Sequence, residues 1–327
     1  MADTTLAVRI HEFGGPEVMK LEAVPLPEPG TGEVRLRHTA IGLNYLDIYQ
    51  RRGTYSLPLP TGLGHEAAGV VEVLGPEVRD VRVGDRVAYM NAGVGAYAQR
   101  RNVAARRLVA LPSGVSDDSA AALLFKGLTA QYLLKRTYAV RPGDLVLVHA
   151  AAGGVGQILC RWAKALGATV VGTAGSAAKC EIARAAGCEF AVDYSRDDWP
   201  ATLLAATGGR KAQVVYDAVG QHTFLGSLDC TAPFGLVVLY GAASGPAPVI
   251  DPELLNKKGC LYLTRPSVFP HNAEVATFRA NAADLFAAVE ASMVQAHIGA
   301  RYPLKDVVVA HAAAESRATY GATVLLP

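Results

Sequence analysis

One stretch constrains the fold more than any other part of the chain: LVLVHAAAGGVGQILCRWAKALGATVVGTAGSAAK, which runs from Leu145 to Lys179. Its first four residues, 145–148, are apolar and predict a buried parallel strand, and the glycines after them predict a turn into a helix that begins near Val155. A second apolar strand is predicted at Thr169–Thr173. Strand, turn, helix and strand in this order indicate a β-α-β unit of a doubly wound sheet.

The turn in this unit is suited to a phosphate group. Ala151, Gly153 and Gly156 occupy the three positions of the G-x-G-x-x-G fingerprint, with alanine at the first. A side chain at Gly153 would block the backbone from a pyrophosphate, and one at Gly156 would push the helix away from the strand. Because N–H groups at a helix start attract anions, the sequence predicts that a dinucleotide binds here.

The end of the second strand distinguishes the two nicotinamide dinucleotides. In NAD-binding units an acidic residue, about 20 residues beyond the glycines, binds the ribose 2′-hydroxyl. Here the strand is followed by Gly175, Ser176 and Lys179, a hydroxyl-bearing turn with a cation that suits a 2′-phosphate. We therefore expect NADPH as the cofactor. The alternative is an ordinary strand-to-helix turn with a solvated lysine.

Composition indicates a globular protein and excludes several classes of function. The chain has 327 residues, 51% of them hydrophobic, which is enough for two domains with a large core. We find no signal peptide and no apolar run of roughly 20 residues, so neither export nor membrane insertion is expected. Five scattered cysteines without C-x-x-C spacing fit reduced thiols in a cytoplasm. A net charge of +2 without a basic block argues against nucleic acid as a partner.

The pattern of strands and helices changes along the chain. The first ~125 residues contain short strands with many glycines and prolines and predict a mainly β domain. A helix is predicted at Ser119–Lys135. Six apolar strands then alternate with helices, and this pattern predicts an α/β fold with a doubly wound, six-stranded parallel sheet. These strands are Leu145–Val148, Thr169–Gly172, Phe190–Val192, Val214–Tyr216, Leu236–Tyr240 and Leu261–Leu263. A long helix, Glu274–Met293, and a last strand, Thr323–Leu326, return to the first domain.

Several short motifs resemble those of the medium-chain dehydrogenase/reductase superfamily along essentially the whole chain. They are GHEAAG at 64–69, GDRV at 84–87, GAY at 95–97 and AAAGGVG at 150–156. Within that superfamily the chain is most similar to the NADPH-dependent quinone oxidoreductases that include zeta-crystallin, on the pieces GLNYLD at 42–47, KGLT at 126–129, TRPS at 264–267 and ESRAT at 315–319. The resemblance implies a GroES-like catalytic domain at 1–125 and 268–327 and a Rossmann NADPH-binding domain at 126–267.

A zinc site is the first question that this resemblance raises. Zinc-dependent relatives carry a Gly-His-Glu motif, matched here by His65 and Glu66, but the position of their cysteine ligand is Asn44. The segment Asn91–Leu111, where they keep four structural cysteines, contains none. One histidine and one carboxylate do not close a tetrahedral site, so we expect no metal and a hydrogen-bonded core role for His65.

The expected absence of zinc bears on the reaction. Zinc stabilises the alkoxide when hydride leaves an alcohol, whereas a quinone accepts hydride into a delocalised anion and needs only positioning and a few hydrogen bonds. The sequence therefore predicts NADPH-dependent reduction of a quinone or another conjugated carbonyl compound, by hydride transfer or by electron transfer. An enone or alkenal reductase stays open as an alternative, and so does an RNA-binding or structural protein, because some relatives have those roles.

The resemblance also assigns site residues. It places Asn44 and the segment after it at the nicotinamide and the substrate, and Tyr49 and Tyr55 can stack on a flat ring and hydrogen-bond its oxygens. We predict Asn44, Tyr49 and Tyr55 as catalytic residues and leave the proton donor unassigned. The predicted cofactor-binding residues are Tyr45, Leu46, Asp47, Ile48, Tyr49, Tyr132, Gly154, Val155, Gly175, Ser176, Ala177, Ala178, Lys179, Tyr194, Ala243, Ser244, Gly245, Phe269 and Arg317. The outer strand of the parallel sheet would leave backbone groups unpaired, so a homodimer is expected.

Overall fold

A computed structural model of the chain describes residues 3–195, 198–316 and 319–327. Over these residues the strands β1 to β16 are, in chain order, Thr4–Ile10, Lys20–Pro25, Glu33–Leu43, Thr61–Gly62, Glu66–Leu74, Arg86–Met90, Arg100–Ala104, Leu108–Ala110, Leu145–Val148, Thr169–Ala174, Phe190–Asp193, Ala212–Asp217, Thr231–Leu239, Tyr262–Thr264, Ile298–Pro303 and Ala322–Leu326. The helices α1 to α10 are Tyr45–Arg51, Asp117–Tyr132, Gly154–Ala165, Ala177–Ala185, Trp199–Ala206, Phe224–Cys230, Glu253–Lys257, Val268–His271, Val275–Glu290 and Val307–Glu315.

The chain divides into two compact units. The first comprises Met1–Lys126, Asn272–Phe286 and Ala296–Pro327, and the second comprises Gly127–His271 and Ala287–Gln295. The domain boundaries expected from the sequence, 1–125 with 268–327 and 126–267, stay a prediction.

The second unit contains the parallel sheet that the sequence predicts. Its strands run in the order β11-β10-β9-β12-β13-β14, and every neighbouring pair is parallel. All four residues of β9 are buried, as expected for a central strand covered on both faces. On one face Leu147, Val171 and Val237 pack against Trp199 and Phe224 from the helices that follow β11 and β12. The doubly wound α/β prediction is therefore confirmed.

The first unit is built mainly from β strands. One sheet runs β15-β16-β3-β5-β6-β8, with β7 also paired to β3, and a smaller sheet runs β2-β1-β4. The long strand β3 is central because β5, β7 and β16 all pair with it. Its last residue, Leu43, is followed directly by Asn44 and α1, while Gly42 pairs with Glu66 at the start of β5. This register brings Asn44 and Glu66 to the same end of the sheet.

Several element boundaries differ from the sequence prediction, and two of the differences have a visible cause in the backbone. The long helix α9 ends at Glu290 rather than at Met293, because Ser292 takes a left-handed conformation with φ of 58°. Strand β13 begins at Thr231 rather than at Leu236. An irregularity in its pairing with β12 separates those early residues from the apolar run, so hydrophobicity alone marks only the second half of the strand.

No helix in the described part of the chain is both long enough and apolar enough to span a membrane.

Candidate active site

The glycine turn after β9 is shaped by a close approach of backbone to backbone. Ala150 adopts a left-handed φ of 52°, and the N–H of Gly153 donates to the carbonyl of Ala150 at 2.9 Å. A Cβ on Gly156 would lie 2.2 Å from that carbonyl oxygen, so any side chain there would displace α3. Since the first N–H groups of a helix have no partner within the helix, those of Gly154 and Val155 are available to an anion. The turn therefore fits the pyrophosphate of a dinucleotide.

A second group of predicted residues lies at the carboxyl end of β10. Ser176 caps α4, and its Oγ accepts a hydrogen bond from the backbone N–H of Lys179 at 3.3 Å. Tyr194, which follows β11, donates its backbone N–H to Ala174, and its Oη lies 3.2 Å from the position of a Cβ on Gly175. The structure thus brings Gly175, Ser176, Lys179 and Tyr194 together, with Ala177 and Ala178 exposed beside them. The predicted residue Arg317 lies outside the described residues.

The turn at Ala243, Ser244 and Gly245 is tied to the loop after β12. The backbone N–H groups of Ala243 and Ser244 donate to Ala218 and Val219, at 3.0 and 2.9 Å. That loop is organised in turn by Asp217, whose buried carboxylate accepts the N–H groups of Val219 and Gly220. Sequence reasoning did not single out Asp217, although a carboxylate at the carboxyl end of an apolar strand was a usable signal.

Two further predicted residues lie elsewhere in the second unit. Tyr132 is 1% exposed and stacks on His271, with ring centroids 4.3 Å apart and an interplanar angle of 8°. Burial raises the pKa of the Tyr132 hydroxyl and lowers the pKa of His271, so both groups are neutral near pH 7. Phe269 is half-buried in α8, two residues from His271. His271 therefore covers one face of the Tyr132 ring.

In the first unit, the predicted tyrosines form a row, two of them on α1 and the third shortly after the helix ends. The rings of Tyr45 and Tyr49 meet edge to face at 5.2 Å, and those of Tyr49 and Tyr55 at 5.5 Å. Tyr55 is 44% exposed at the end of this row. Leu46 is half-buried, whereas Asp47 and Ile48 are fully buried and contribute to the interior. The row offers tyrosine edges and hydroxyls at one surface of the unit.

A buried polar cluster lies next to α1. Asn44 donates from Nδ2 to Glu66 Oε1 at 2.8 Å and accepts from Lys126 Nζ on Oδ1 at 2.9 Å. Glu66 Oε2 accepts the backbone N–H of Phe125 at 2.7 Å. Gly42 makes room for this carboxylate, because a Cβ there would lie 2.2 Å from Glu66 Oε1. The sequence analysis included Lys126 only in the KGLT motif and gave it no role, although it is the lone charge in the stretch from Ala120 to Leu134.

A second polar chain begins at Asp47. Its Oδ2 accepts from the backbone N–H of Asn44 at 2.9 Å and from the Tyr97 hydroxyl at 2.8 Å. Tyr97 Oη is 3.1 Å from His311 Nε2, and His311 Nδ1 is 3.3 Å from Arg51 Nη1. Burial raises the pKa of Asp47 to about 7, and burial with the nearby Arg51 charge lowers the pKa of His311 to about 3. A neutral His311 therefore links α10 to the start of α1.

The zinc question can now be tested on the residues themselves. Asn44 and Glu66 stand at the positions matched to the zinc site of relatives, but the ammonium of Lys126 contacts both of them, at 2.9 Å and 3.2 Å. His65 is buried and its Nε2 contacts Gln50 Oε1 at 2.9 Å, as expected for a hydrogen-bonded core residue. A divalent cation placed here would be repelled by the ammonium, so this donor set does not fit zinc. Among the described residues no cluster of three or more His, Cys, Asp or Glu side chains could hold a metal.

Comparisons with known proteins agree with this architecture. Residues 30–113 match the family model "Alcohol dehydrogenase GroES-like domain", and residues 154–285 match "Zinc-binding dehydrogenase". The chain is 45% identical to the quinone oxidoreductase of Pseudomonas aeruginosa, over 98% of this chain and 99% of that one. It is 42% identical to the 2-haloacrylate reductase of a Burkholderia species, over 98% and 99%. The solved structure of Escherichia coli quinone oxidoreductase complexed with NADPH aligns with a TM-score of 0.95 at 41% identity, covering 98% of this chain and 100% of that one.

The two units and their matched domains define a medium-chain dehydrogenase/reductase. The Rossmann unit contains the glycine turn, and the GroES-like unit contains Asn44 and the tyrosine row. Within that superfamily the chain belongs to the quinone oxidoreductase family, because its similarity to those enzymes extends over nearly its full length.

Proposed function

We propose that the protein is an NADPH-dependent quinone reductase that works by hydride transfer without a metal ion. The observation that carries the proposal is the carboxyl end of β10, where Gly175, Ser176 and Lys179 stand in place of the carboxylate that an NAD-binding unit uses. Quinone oxidoreductases at 42–45% identity over nearly the whole chain support the same function.

The cofactor roles follow from the second unit. The N–H groups of Gly154 and Val155 bind the pyrophosphate, and the segment Gly175–Lys179 binds the 2′-phosphate with Tyr194 beside it. Arg317 joins this site in the proposal, on the resemblance alone. The turn at Ala243–Gly245, Tyr132 and Phe269 serve the nicotinamide half. When bound, NADPH supplies the hydride.

The acceptor roles follow from the first unit. Tyr49 and Tyr55 give an acceptor ring aromatic surfaces to pack against, and their hydroxyls can donate to its oxygens. Asn44 offers an amide N–H, while Tyr45, Leu46, Asp47 and Ile48 complete the segment assigned to the cofactor. Positioning and these hydrogen bonds are sufficient for an acceptor whose anion is already delocalised.

Steady-state kinetics test both parts of the proposal. We expect kcat/KM for benzoquinones and naphthoquinones to be higher with NADPH than with NADH by roughly 10-fold or more, the value of one charge-assisted contact to the 2′-phosphate. Equal values with the two nucleotides would contradict the cofactor assignment. Failure to reduce any quinone with either nucleotide would contradict the function.

A second candidate is reduction of a carbon–carbon double bond conjugated to a carbonyl. The specific observation in its favour is the 2-haloacrylate reductase at 42% identity over 98% of the chain. Quinones and enones compared in one assay decide between the two functions, because the preferred acceptor is the one with the higher kcat/KM. A large preference for simple enones or 2-chloroacrylate over quinones would replace the first proposal with the second.

The assembly we propose is a homodimer through the edge of the parallel sheet. Strand β14 is the last strand of that sheet, and Tyr262 and Leu263 on it are 62% and 38% exposed. Pairing of two β14 edges would satisfy the backbone groups that an edge strand leaves open. Analytical ultracentrifugation of the wild type and of Leu263→Lys checks this; a wild-type monomer would contradict it.

We also propose a cytoplasmic location, supported by five cysteines that are all free thiols in the structure. Nucleic acid is not a main partner in this proposal, because the net charge is only +2. Salt-dependent RNA binding that persists after loss of NADPH binding would revive the RNA-binding alternative.

A further inference from the structure

The side chain of Asn44 is held by a buried cation that the proposed function does not yet use. Lys126 Nζ donates to Asn44 Oδ1 at 2.9 Å, to the carbonyl of Leu43 at 3.1 Å and to Glu66 Oε1 at 3.2 Å. An ammonium group has three N–H donors, so these three partners engage all of them. The Lys126 side chain is only 8% exposed. Lys126 is thus committed to the interior, in a cluster that ends at the substrate-side asparagine.

The two charges on either side of Asn44 fix the direction of its carboxamide. Lys126 can only donate and the Glu66 carboxylate can only accept, so Oδ1 must face Lys126 and Nδ2 must face Glu66. One Nδ2 hydrogen goes to Glu66 Oε1 at 2.8 Å. Within residues 3–195, 198–316 and 319–327, no acceptor takes the other. Asn44 therefore presents one N–H donor whose direction the ion pair determines.

We propose that Lys126 is a positioning residue for the reduction. Together with Glu66 it aims the second Nδ2 hydrogen of Asn44 at the carbonyl oxygen of the acceptor, and its charge polarises that amide. This inference rests on the proposed function and extends it by naming the group that determines how the acceptor oxygen is held. Lys126 acts through Asn44 and does not itself touch the acceptor.

The chemistry of the step explains why a charge is useful at this place. The acceptor receives a hydride with its two electrons, a new bond to hydrogen forms, and the displaced π pair moves to the carbonyl oxygen while NADPH is oxidised to NADP⁺. The oxygen later takes a proton from water. A donor that is already oriented, and polarised by a buried cation, stabilises this developing oxyanion more than it stabilises the neutral carbonyl. The effect of Lys126 should accordingly fall mainly on kcat.

The test needs variants that remove the charge without leaving Glu66 as an unpaired buried carboxylate. The variant Lys126→Met with Glu66→Gln removes both charges and keeps an acceptor for the Phe125 N–H. It is compared with Asn44→Ala, with the triple variant, and with Lys257→Met as a control for loss of an exposed lysine. Measurements are kcat and KM for 1,4-benzoquinone at saturating NADPH, Kd for NADPH, and Kd for the quinone without cofactor by fluorescence quenching.

We expect the charge-pair variant to lose roughly 10-fold to 100-fold in kcat, somewhat less than deletion of a direct oxyanion donor. Its Kd for NADPH should stay within about 2-fold, because the pyrophosphate and 2′-phosphate contacts are untouched. The same charge removal should have no further effect in the Asn44→Ala background, since groups that act through one another are not additive. An unchanged kcat, or an equal loss in the Asn44→Ala background, would overturn the proposal.

A second variant covers the case in which the charge-pair variant does not fold. Asn44→Asp keeps the shape of the side chain and an acceptor for Lys126 but has no N–H to present, so kcat should fall while Kd for NADPH is retained. Retention of wild-type kcat in Asn44→Asp would overturn the proposal. If the wild type reduces no quinone, the proposed function fails, and the quinone Kd decides about Lys126: weaker binding in the charge-pair variant supports its role, and unchanged binding contradicts it.

Discussion

The glycine turn of the second unit and the polar cluster of the first are built on opposite principles. The turn from Ala150 to Gly156 uses consecutive residues and backbone atoms, and it functions because side chains are missing. The cluster of Asn44, Glu66 and Lys126 uses side chains, and the lysine is 82 positions from the asparagine that it contacts. The turn should therefore be sensitive to added bulk, and the cluster to removed charge.

The largest effect is expected when one charge of the cluster is removed alone. Lys126→Met leaves Glu66, which is 0% exposed, without its cation, and should lower the free energy of unfolding by about 3–5 kcal/mol. Urea unfolding measures the loss. Lys257→Met, at an exposed position, should change stability by less than about 0.5 kcal/mol. Similar values for the two variants would show that the cluster does not depend on the charge.

A larger side chain in the glycine turn should weaken NADPH binding. A side chain in Gly156→Val collides with the Ala150 carbonyl and the Ala151 Cα, at 2.2 and 2.8 Å from the Cβ position. Displacement of the first turn of α3 should weaken NADPH binding by about 100-fold, or about 3 kcal/mol. Fluorescence titration checks this. Gly114→Ala, where a Cβ meets nothing within 4 Å, is the matched control and should bind normally.

Stability should depend on pH through the first unit. Burial raises the pKa of Asp47 to about 7 from 3.8, so the folded chain keeps a proton that the unfolded chain has released between these values. Protonated Asp47 therefore stabilises the fold at low pH. This contribution to the free energy of unfolding is lost as pH rises through about 7, by up to about 1.4 kcal/mol per pH unit. Between pH 5 and 8, the free energy of unfolding measured in urea should fall by about 2 kcal/mol less in Asp47→Asn than in the wild type. Parallel curves would show that Asp47 is already ionised at pH 5.

The smallest effect is expected when the charge of Lys179 is removed from the edge of the nucleotide site. Lys179 contributes a side-chain charge to the proposed 2′-phosphate site, so Lys179→Ala should weaken NADPH binding by about 10-fold, or about 1.4 kcal/mol. NADH kinetics should be nearly unchanged, because NADH has no 2′-phosphate. An equal loss for both nucleotides would place Lys179 outside the 2′-phosphate site.

The same contrast explains what the sequence could predict. The six-stranded sheet and the glycine turn were predictable because their signals are local: β9 is four consecutive apolar residues, and the glycines follow within eight positions. The cluster was not predictable as a unit, because only the register of β3 with β5 brings Asn44 to Glu66. The assigned roles of Tyr49, Tyr55 and the nucleotide residues stay predictions until ligands are bound.

The hydrogen bonds between Arg51 and Asp47 have a fixed direction. Arginine only donates, so His311 accepts on Nδ1 and carries its hydrogen on Nε2, from which it donates to Tyr97; Tyr97 then donates to Asp47. Every donor in this chain points toward Asp47, and the chain begins at Arg51, a side chain that only donates. A proton lost from Asp47 cannot be replaced through α10. The chain therefore ties α1 to α10 and acts as a structural link, with no proton relay from α10 to Asp47.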